Sequence, residues 1–532
     1  MIPDSIAQPR ARAGKREWTA LGVLSLPALL ITLDVTVLHL AVPHLSADLG
    51  PSGLQLLWIV DIYSFLIAGL LIIAGTLGDR IGRRRLLLIG AAGFGVASLL
   101  TAFSINTEML IVSRALLGIA GATLMPSSMS LIRNMFLDDR QRSLALSIWI
   151  ACFLVGGAMG PLVGGLMLEY FWWGSVFLLA VPAMVLLLLL GPLLLPEYRD
   201  PNPGKIDFAS MILLLTSLLI SVYGLKKLAG DGFAVLPALL LVGGLALGVT
   251  FVLRQRGIAH PLVDLGLFRA RSFSVSLATM GLALFVMSGA QFFVAQYLQM
   301  VVGLSPLKAG LCSLPGSIGG VTGALLAPLA LRWMRSASVM VVGLTIAVIG
   351  FAALTRVDVD SGLITVMVAL GLLNFGVAPT IALGTDMMIS SAPPEKAGGV
   401  SAISETCHEV GLGMGIAVLG SIGTAFYRSR ATEALPEGVS EESASAIGDT
   451  IGSAVDEVSR MPEDLGSVAL AGAREAFTNG LVTVSLICTV VTVLVVVMVM
   501  AFLRRFPAGA PTPEGTGAPG SGKQFVEGAT DA

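Results

Sequence analysis

The chain has 532 residues, 55% of them hydrophobic and only 12% charged, and its mean hydropathy is +0.88. Charge that sparse cannot clothe a soluble protein of this size, so lipid is its expected solvent. The net charge of -2 and a pI near 6.1 argue against nucleic acid as a partner.

Apolar stretches follow one another at about 18–41, 54–78, 86–104, 108–131, 143–168, 174–196, 207–228, 233–253, 273–301, 307–331, 337–356, 361–388, 398–425 and 480–503. Each is long enough to cross a bilayer, and in lipid each must satisfy its own backbone as a helix. Strands of a membrane barrel would alternate instead. The first stretch lacks a small-residue cleavage site and runs straight into further spans, so it reads as a helix, not a cleaved signal. An even count places both termini on one side. On that model 23 of the 32 basic residues fall in the cytoplasmic segments, as the positive-inside rule requires, with Lys226 and Lys227 the local exception. Cys152, Cys312, Cys407 and Cys488 lie inside apolar stretches at no metal-like spacing and read as small buried hydrophobes.

Taken in chain order, three charges stand out because an isolated charge in hydrocarbon costs at least ~2.5–3.5 kcal/mol. Asp34 lies in helix 1, Asp61 in helix 2 and Arg114 in helix 4, each about six or seven residues from the outer end of its helix. At 1.5 Å per residue all three reach roughly 10 Å of depth and are expected to meet. A carboxylate in that setting is pushed up by desolvation and down by an arginine, so access to water on one side can switch its protonation. A structural Asp34–Arg114 pair without proton traffic is the alternative. The turn after helix 2 reads Gly75-Thr-Leu-Gly-Asp79-Arg80-Ile-Gly82-Arg83-Arg84-Arg85. Its glycines allow a tight turn and close helix approach, and Asp79 can pair with Arg83 or a neighbouring helix end. Helix 5 ends in Gly156-Gly157-Ala-Met-Gly160-Pro161-Leu-Val-Gly164-Gly165, with small residues at helical spacing for another helix to approach and a proline to bend the backbone.

In the second half, Asp386 sits near the cytoplasmic end of helix 12, a candidate substrate or gate residue or merely an acid reaching the interface. Helix 13 carries Glu405 and Glu409 one turn apart on one face, with His408 beside them. Two close carboxylates resist joint ionisation, which suits a cation site or a second proton site. Met125, Met159, Met287, Met300, Met387 and Met388, with Phe285, Phe292, Phe293 and Tyr297, could line an adaptable cavity or simply pack helices. Residues 428–478 form one long acidic outside segment, an ordered hairpin or a mobile lid, and the Gly- and Pro-rich tail 504–532 is expected to be disordered. A shift of 255 residues lays Gly156, Met159 and Gly160 on Gly411, Met414 and Gly415, Gly121 on Gly376 and Arg80 on Arg335. One constant offset implies a repeat: a bundle over 18–196, two inserted helices over 207–253 and a second bundle over 273–503, behind a cytoplasmic segment 1–17. No G-x-S-x-G, H-E-x-x-H or P-loop pattern occurs, so neither an enzyme nor ATP-driven transport is expected.

The turn over 75–85 resembles the signature loop of the major facilitator superfamily, and the Gly-Pro stretch of helix 5 resembles the motif of its antiporters. Together with Leu33-Asp34-Val-Thr36, Leu57-Trp58-Ile-Val-Asp61-Ile-Tyr63, Arg114-Ala-Leu-Leu-Gly118, Leu304-Ser-Pro-Leu-Lys-Ala-Gly310 and the helix 13 acids, the chain resembles the fourteen-helix drug:proton antiporters, of the Qac-type and SmvA-like quaternary-ammonium exporters. The resemblance covers roughly 18–505. It implies an all-α membrane protein of two six-helix bundles plus two extra helices in the cytoplasmic membrane. It further implies export of lipophilic cations, biocides and dyes in exchange for protons, without cofactor, by a monomer. Gly75, Asp79, Arg80, Gly82 and Arg83 would form a gate latch, and Gly156, Gly160, Pro161, Gly164 and Gly165 the antiporter motif. Asp34, with Arg114 and Asp61, would carry the proton; Glu405, Glu409, Asp386 and His408 would serve the cation. An exporter of an endogenous product, such as a self-made antibiotic or lipid, is the second reading. Some Qac-type relatives have an acid where this chain has Gly320, so dications are expected to be handled poorly.

Overall fold

The computed structural model describes residues 13–199, 207–231, 234–258, 261–359, 362–391, 397–436 and 438–503. The tail 504–532, most of the N-terminal segment, Lys205 and Lys396 lie outside the described residues. Fourteen helices are long and apolar enough to span a membrane. They are α1 (Lys15–Leu49), α2 (Gly53–Ile81), α3 (Arg83–Ala102), α4 (Thr107–Met135), α5 (Asp139–Tyr170), α6 (Ser175–Leu194), α7 (Phe208–Asp231), α8 (Val235–Gly257), α9 (Arg271–Val301), α10 (Pro306–Ala330), α11 (Ser336–Leu354), α12 (Gly362–Ser390), α13 (Ala397–Glu433) and α14 (Glu463–Phe502). Their ends follow local chemistry. Gly50 stops α1 at φ 55°, a left-handed cap whose N–H returns to Ser46 O, and Ser52 opens α2 through a reciprocal cap with Gln55.

The pairing of helices reproduces the repeat. Within the first bundle α1 packs on α5, α2 on α4 and α3 on both α4 and α6; within the second, α9 packs on α13, α10 on α12 and α11 on both α12 and α14. The glycines at offset 255 do the same job in each half. Gly156 abuts the Leu29 carbonyl of α1, and Gly411 abuts Leu284 and the Gly281 carbonyl of α9, so Leu29 and Leu284 keep that offset too. The bundles meet along two seams, α5 against α10 and α2 against α13.

The inserted pair α7–α8 zips on small residues, with Gly244 and Gly248 of α8 against Ser221 and Ser217 of α7. At its base Asp207 accepts from Ser210 N and Oγ at 3.1 and 2.6 Å and pairs with Arg254 at 3.1 Å. Ser210's hydroxyl first, and Arg254 with it, hold the Asp207 carboxyl down at about 2. The pair docks on one seam only: Val222 packs with Phe65 of α2 and Ala417 of α13, which belong to different bundles.

Two expectations change. The outside segment 428–478 is mostly a continuation of the spans, since α13 runs out to Glu433 and α14 starts at Glu463, with two short helices, Glu441–Asp449 and Ile451–Val458, between them. Of the two alternatives it is the ordered one. Ile447, Ile451 and Ala454 are buried, Tyr427 donates to Ile447 O at 2.7 Å and Arg428 pairs with Asp449 at 3.0 Å. The acidic composition read as loop because the apolar residues recur in short helices, below the length of a span. Second, α1 overshoots its expected end by about two turns, because Ala41 to Ser46 are buried among neighbouring helices.

Candidate functional site

Between the bundles lies a cavity of about 910 Å³. Gly75, Arg83 and Arg133 stand around its mouth, at the end carrying the α2–α3 turn; Thr36, His39 and Leu40 close its far end. Beyond that far end the bundles touch. Gln299 donates to Leu40 O at 3.0 Å across α9 and α1, Glu169 of α5 accepts from Leu307 N at 3.2 Å, and Gly310 of α10 lies on the Pro161 carbonyl. The site is therefore open at one end and shut at the other.

Glu405 is the sole acid among the described residues lining this cavity, and its Oε1 is buried without a hydrogen-bond partner. Beside it an aromatic wall runs across the seam. Trp149 stacks on Phe153 with ring centroids 6.4 Å apart, and Phe153 meets the edge of His408, also at 6.4 Å. Met125, Met129, Met280 and Met287 supply the soft remainder. A carboxylate facing aromatic and thioether surface can hold a bulky cation whose charge is shielded by apolar groups. Of the methionines and aromatics named from sequence only Met125 and Met287 reach the lining; Met159 faces outward, and Phe292, Phe293 and Tyr297 pack between helices. Trp149 and Phe153 were passed over as cavity residues, although their spacing of four on α5 places them on one face.

The acids do not all gather where sequence depth suggested. Glu409, one turn beyond Glu405, points away from the cavity, is 4% exposed, and takes a hydrogen bond from Ser64 of α2. Asp386 is exposed and does not line the cavity, although its neighbour Thr385 does, so it is no wall residue here. An acid at a helix end was a weak signal, and the interface takes it. Gly320 does line the cavity, with only the Asn374 Cβ at 3.8 Å from where its own Cβ would stand.

Asp34 and Arg114 do meet, at 2.6 Å. Arg114 is fully buried; it also donates to Ile59 O at 3.2 Å and lies over the rings of Tyr63 at 4.7 Å and Phe177 at 5.7 Å. One arginine thus ties α1, α2, α4 and the start of α6. Asp61 is not part of this cluster, contrary to expectation. Equal depth is not equal azimuth: Asp61 and Tyr63, two residues apart on α2, face nearly opposite ways, and Arg114 sits on the Tyr63 side. Asp61 instead binds Lys226 of α7 at 2.7 Å, both side chains wholly buried, with the ammonium 4.0 Å over the Trp58 ring. Lys226, the exception to the charge rule, is an intramembrane partner and not an outside base.

The turn over 75–85 is locked by a residue that sequence reading did not single out. Asp79 pairs with Arg83 at 2.6 Å. Gly82 adopts φ 109°, and a Cβ there would strike the Glu197 carboxylate. Glu197 follows α6 and reaches Arg84 at 3.5 Å and Arg85 at 3.7 Å, while Arg83 N donates to Tyr198 O at 2.9 Å. A lone acid after a helix, opposite four arginines, was the available signal. Arg80 closes the last turn of α2. On α5, Gly156 and Gly160 seat Thr32 and Thr36 of α1, Gly164 seats Val37, and Gly165 faces the Pro306 carbonyl of α10. Thr32 donates to Phe153 O at 2.8 Å, so the same stripe that joins α1 to α5 fixes the aromatic wall.

Known proteins fit this architecture. A multidrug efflux pump, LfrA of Mycolicibacterium smegmatis, is 42% identical over 93% of this chain and 98% of its own. The methyl viologen resistance protein SmvA of Salmonella typhimurium is 34% identical over 87% and 93%, and a tetracenomycin C resistance and export protein of Streptomyces glaucescens 30% over 88% and 86%. Among solved structures, a bacterial homolog of the human lysosomal transporter Spinster, inward-facing and unoccupied, superposes with a TM-score of 0.63 at 16% identity, covering 94% of this chain and all of that one. The family model of the Major Facilitator Superfamily matches residues 24–416. With two pseudo-symmetric bundles around a one-ended cavity and efflux pumps for relatives, this chain is a membrane transporter that belongs to the Major Facilitator Superfamily.

Proposed function

We propose that the chain is a proton-coupled antiporter that exports lipophilic cations, including quaternary ammonium biocides and dyes, across the cytoplasmic membrane. The observation that carries this reading is Glu405, a lone cavity acid with an unpartnered oxygen beside the Trp149–Phe153–His408 wall. The mouth ringed by Arg83 and Arg133 is the cytoplasmic one by the positive-inside rule, with both termini on that side. Cation enters there, is held by Glu405 and is passed outward when the bundles rock. Asp34, neutralised by Arg114 in this state, takes a proton once the outer end opens, and its release of Arg114 loosens the tie among α1, α2 and α4. Glu409 acts with Glu405 as the second acid of α13, and the α2–α3 turn with Glu197 latches the inner gate. Protons and substrate cation are the transported partners, lipid is the surround, and one chain holds every part of the site.

In everted vesicles, tetraphenylphosphonium should drive proton movement that Asp34→Asn abolishes while the protein still inserts and binds the cation. Undiminished exchange in that variant would remove Asp34 from the mechanism. The similarity to a tetracenomycin C exporter supports a second reading, export of an endogenous product such as a self-made antibiotic or lipid. Neutral aromatic compounds transported undiminished by Glu405→Gln would favour it.

A further inference from the structure

Tyr63 stands where the two acidic systems approach one another. It lies on α2, with its ring 4.7 Å beneath the Arg114 guanidinium, and Arg114 in turn binds Asp34 at 2.6 Å. The next residue, Ser64, donates to Glu409 of α13. So two consecutive residues of α2 face the proton-carrying pair of the first bundle and the inner acid of the second. Tyr63 is fully buried, and its hydroxyl has no hydrogen-bond partner; Glu409 Oε2 is buried and unpartnered as well. Buried hydroxyls are almost always satisfied, and one left open asks for a reason. Phenylalanine would fill the same space and keep the contact with Arg114 without an unsatisfied group.

The charged groups that act on this hydroxyl come from three helices: Asp34 from α1, Arg114 from α4 and Glu409 from α13. Asp61 belongs elsewhere, occupied by Lys226. Asp34 and Glu409 lie on different bundles, so a proton moving between them must cross the seam between α2 and α13.

We propose that the Tyr63 hydroxyl is the proton relay across that seam, linking Asp34 in the first bundle to Glu409 in the second. With Asp34 protonated from outside, the O–H bond of its carboxyl breaks as an O–H bond forms at Tyr63, while the Tyr63 proton passes to the Glu409 carboxylate. The phenol is unchanged and one proton has moved inward. Glu409, one turn from Glu405, then delivers the charge change to the cavity wall, where the cation is released or taken up. The inference rests on the proton-coupled reading above.

The test uses the full-length protein in proteoliposomes with an internal pH dye and tetraphenylphosphonium as the probe. Tyr63→Phe should bind the probe as the wild type does and keep or raise its thermal midpoint, since only an unpartnered hydroxyl is removed. Probe-driven proton movement should fall about a hundredfold, the scale of a lost positioned proton-transfer group. Proton movement at the wild-type rate in Tyr63→Phe overturns the relay. Should Tyr63→Phe fail to insert, 3,5-difluorotyrosine placed at position 63 keeps ring and hydroxyl but acidifies the proton. The pH profile of transport should then move to lower pH, and an unmoved profile overturns the relay equally. A wild type that moves no protons with the probe would instead sink the antiport reading on which the relay depends.

Discussion

The Asp61–Lys226 pair makes the sharpest quantitative demand on this structure. Both side chains are wholly buried, their nitrogen and oxygen stand 2.7 Å apart, and the ammonium also faces Trp58 at 4.0 Å. Removing one partner of such a pair leaves an uncompensated buried charge and costs about 3–5 kcal/mol, whereas removing both costs little. Lys226→Met and Asp61→Asn should therefore each destabilise by that amount. The double variant should recover most of the loss, a coupling of about 3 kcal/mol after allowance for the cation–π contact of about 2 kcal/mol that no variant restores. Denaturant titration of the four proteins in detergent micelles measures the cycle. Two single variants that each lose under about 1 kcal/mol, the range of exposed pairs, would refute the buried-pair argument, as would losses that simply add. The cycle also separates two roles for Asp61. As a partner of Lys226 it is dispensable once both are replaced, and the double variant should retain transport; a silent double variant would return Asp61 to the proton pathway.

Further tests follow from the cavity, the turn and the inserted helices. Gly320→Asp should create a second cavity acid without crowding, because its Cβ would meet only Asn374 at 3.8 Å; export of a bis-quaternary dye should rise relative to a monovalent one, and an unchanged ratio would show that the position does not face substrate. Gly82→Ala should cost about 1–2 kcal/mol of turn stability from its φ of 109° and displace Glu197; slower transport with intact probe binding is the expected readout. Asp207 has its carboxyl lowered from 3.8 to about 2 in the fold, so its contribution to stability is present above pH about 3.8 and is lost as pH falls toward 2. Asp207→Asn should abolish that part of the acid dependence of unfolding, and a variant as acid-sensitive as the wild type would contradict it.

Sequence carried the architecture far because each of its signals is one-dimensional. Span length, the excess of basic residues on one side and the constant offset of 255 need only position along the chain, and fourteen helices in two related sets follow. Depth could likewise be counted, which is why Asp34 and Arg114 were brought together correctly. Rotation about a helix axis could not, since apolar residues surround these helices on all sides and leave no polar face to orient them. Asp61 was misplaced for that reason alone. Glu405 and Glu409 were legible as a pair by their spacing of four, but which one looks into the cavity depends on how α13 leans on α2. Glu197 was invisible for another reason: its partners Arg84 and Arg85 are more than 110 residues away along the chain, and an acid beyond a span normally belongs to water.

The docking of α7 also sets how the molecule can move. The repeat makes the α5–α10 and α2–α13 seams equivalent, yet only the latter carries a third helix that grips both sides through Val222, Phe65 and Ala417 and is riveted to α2 by Lys226. When the halves rock, one flank slides freely while the other must drag its splint or shear along it. The stroke is therefore lopsided, and the bilayer is displaced more on the flank where α7 and α8 travel. Membrane thickness and lateral pressure then act on the cycle through this hairpin, so shortening α8, whose outer face meets only lipid, should change turnover without touching a single cavity residue.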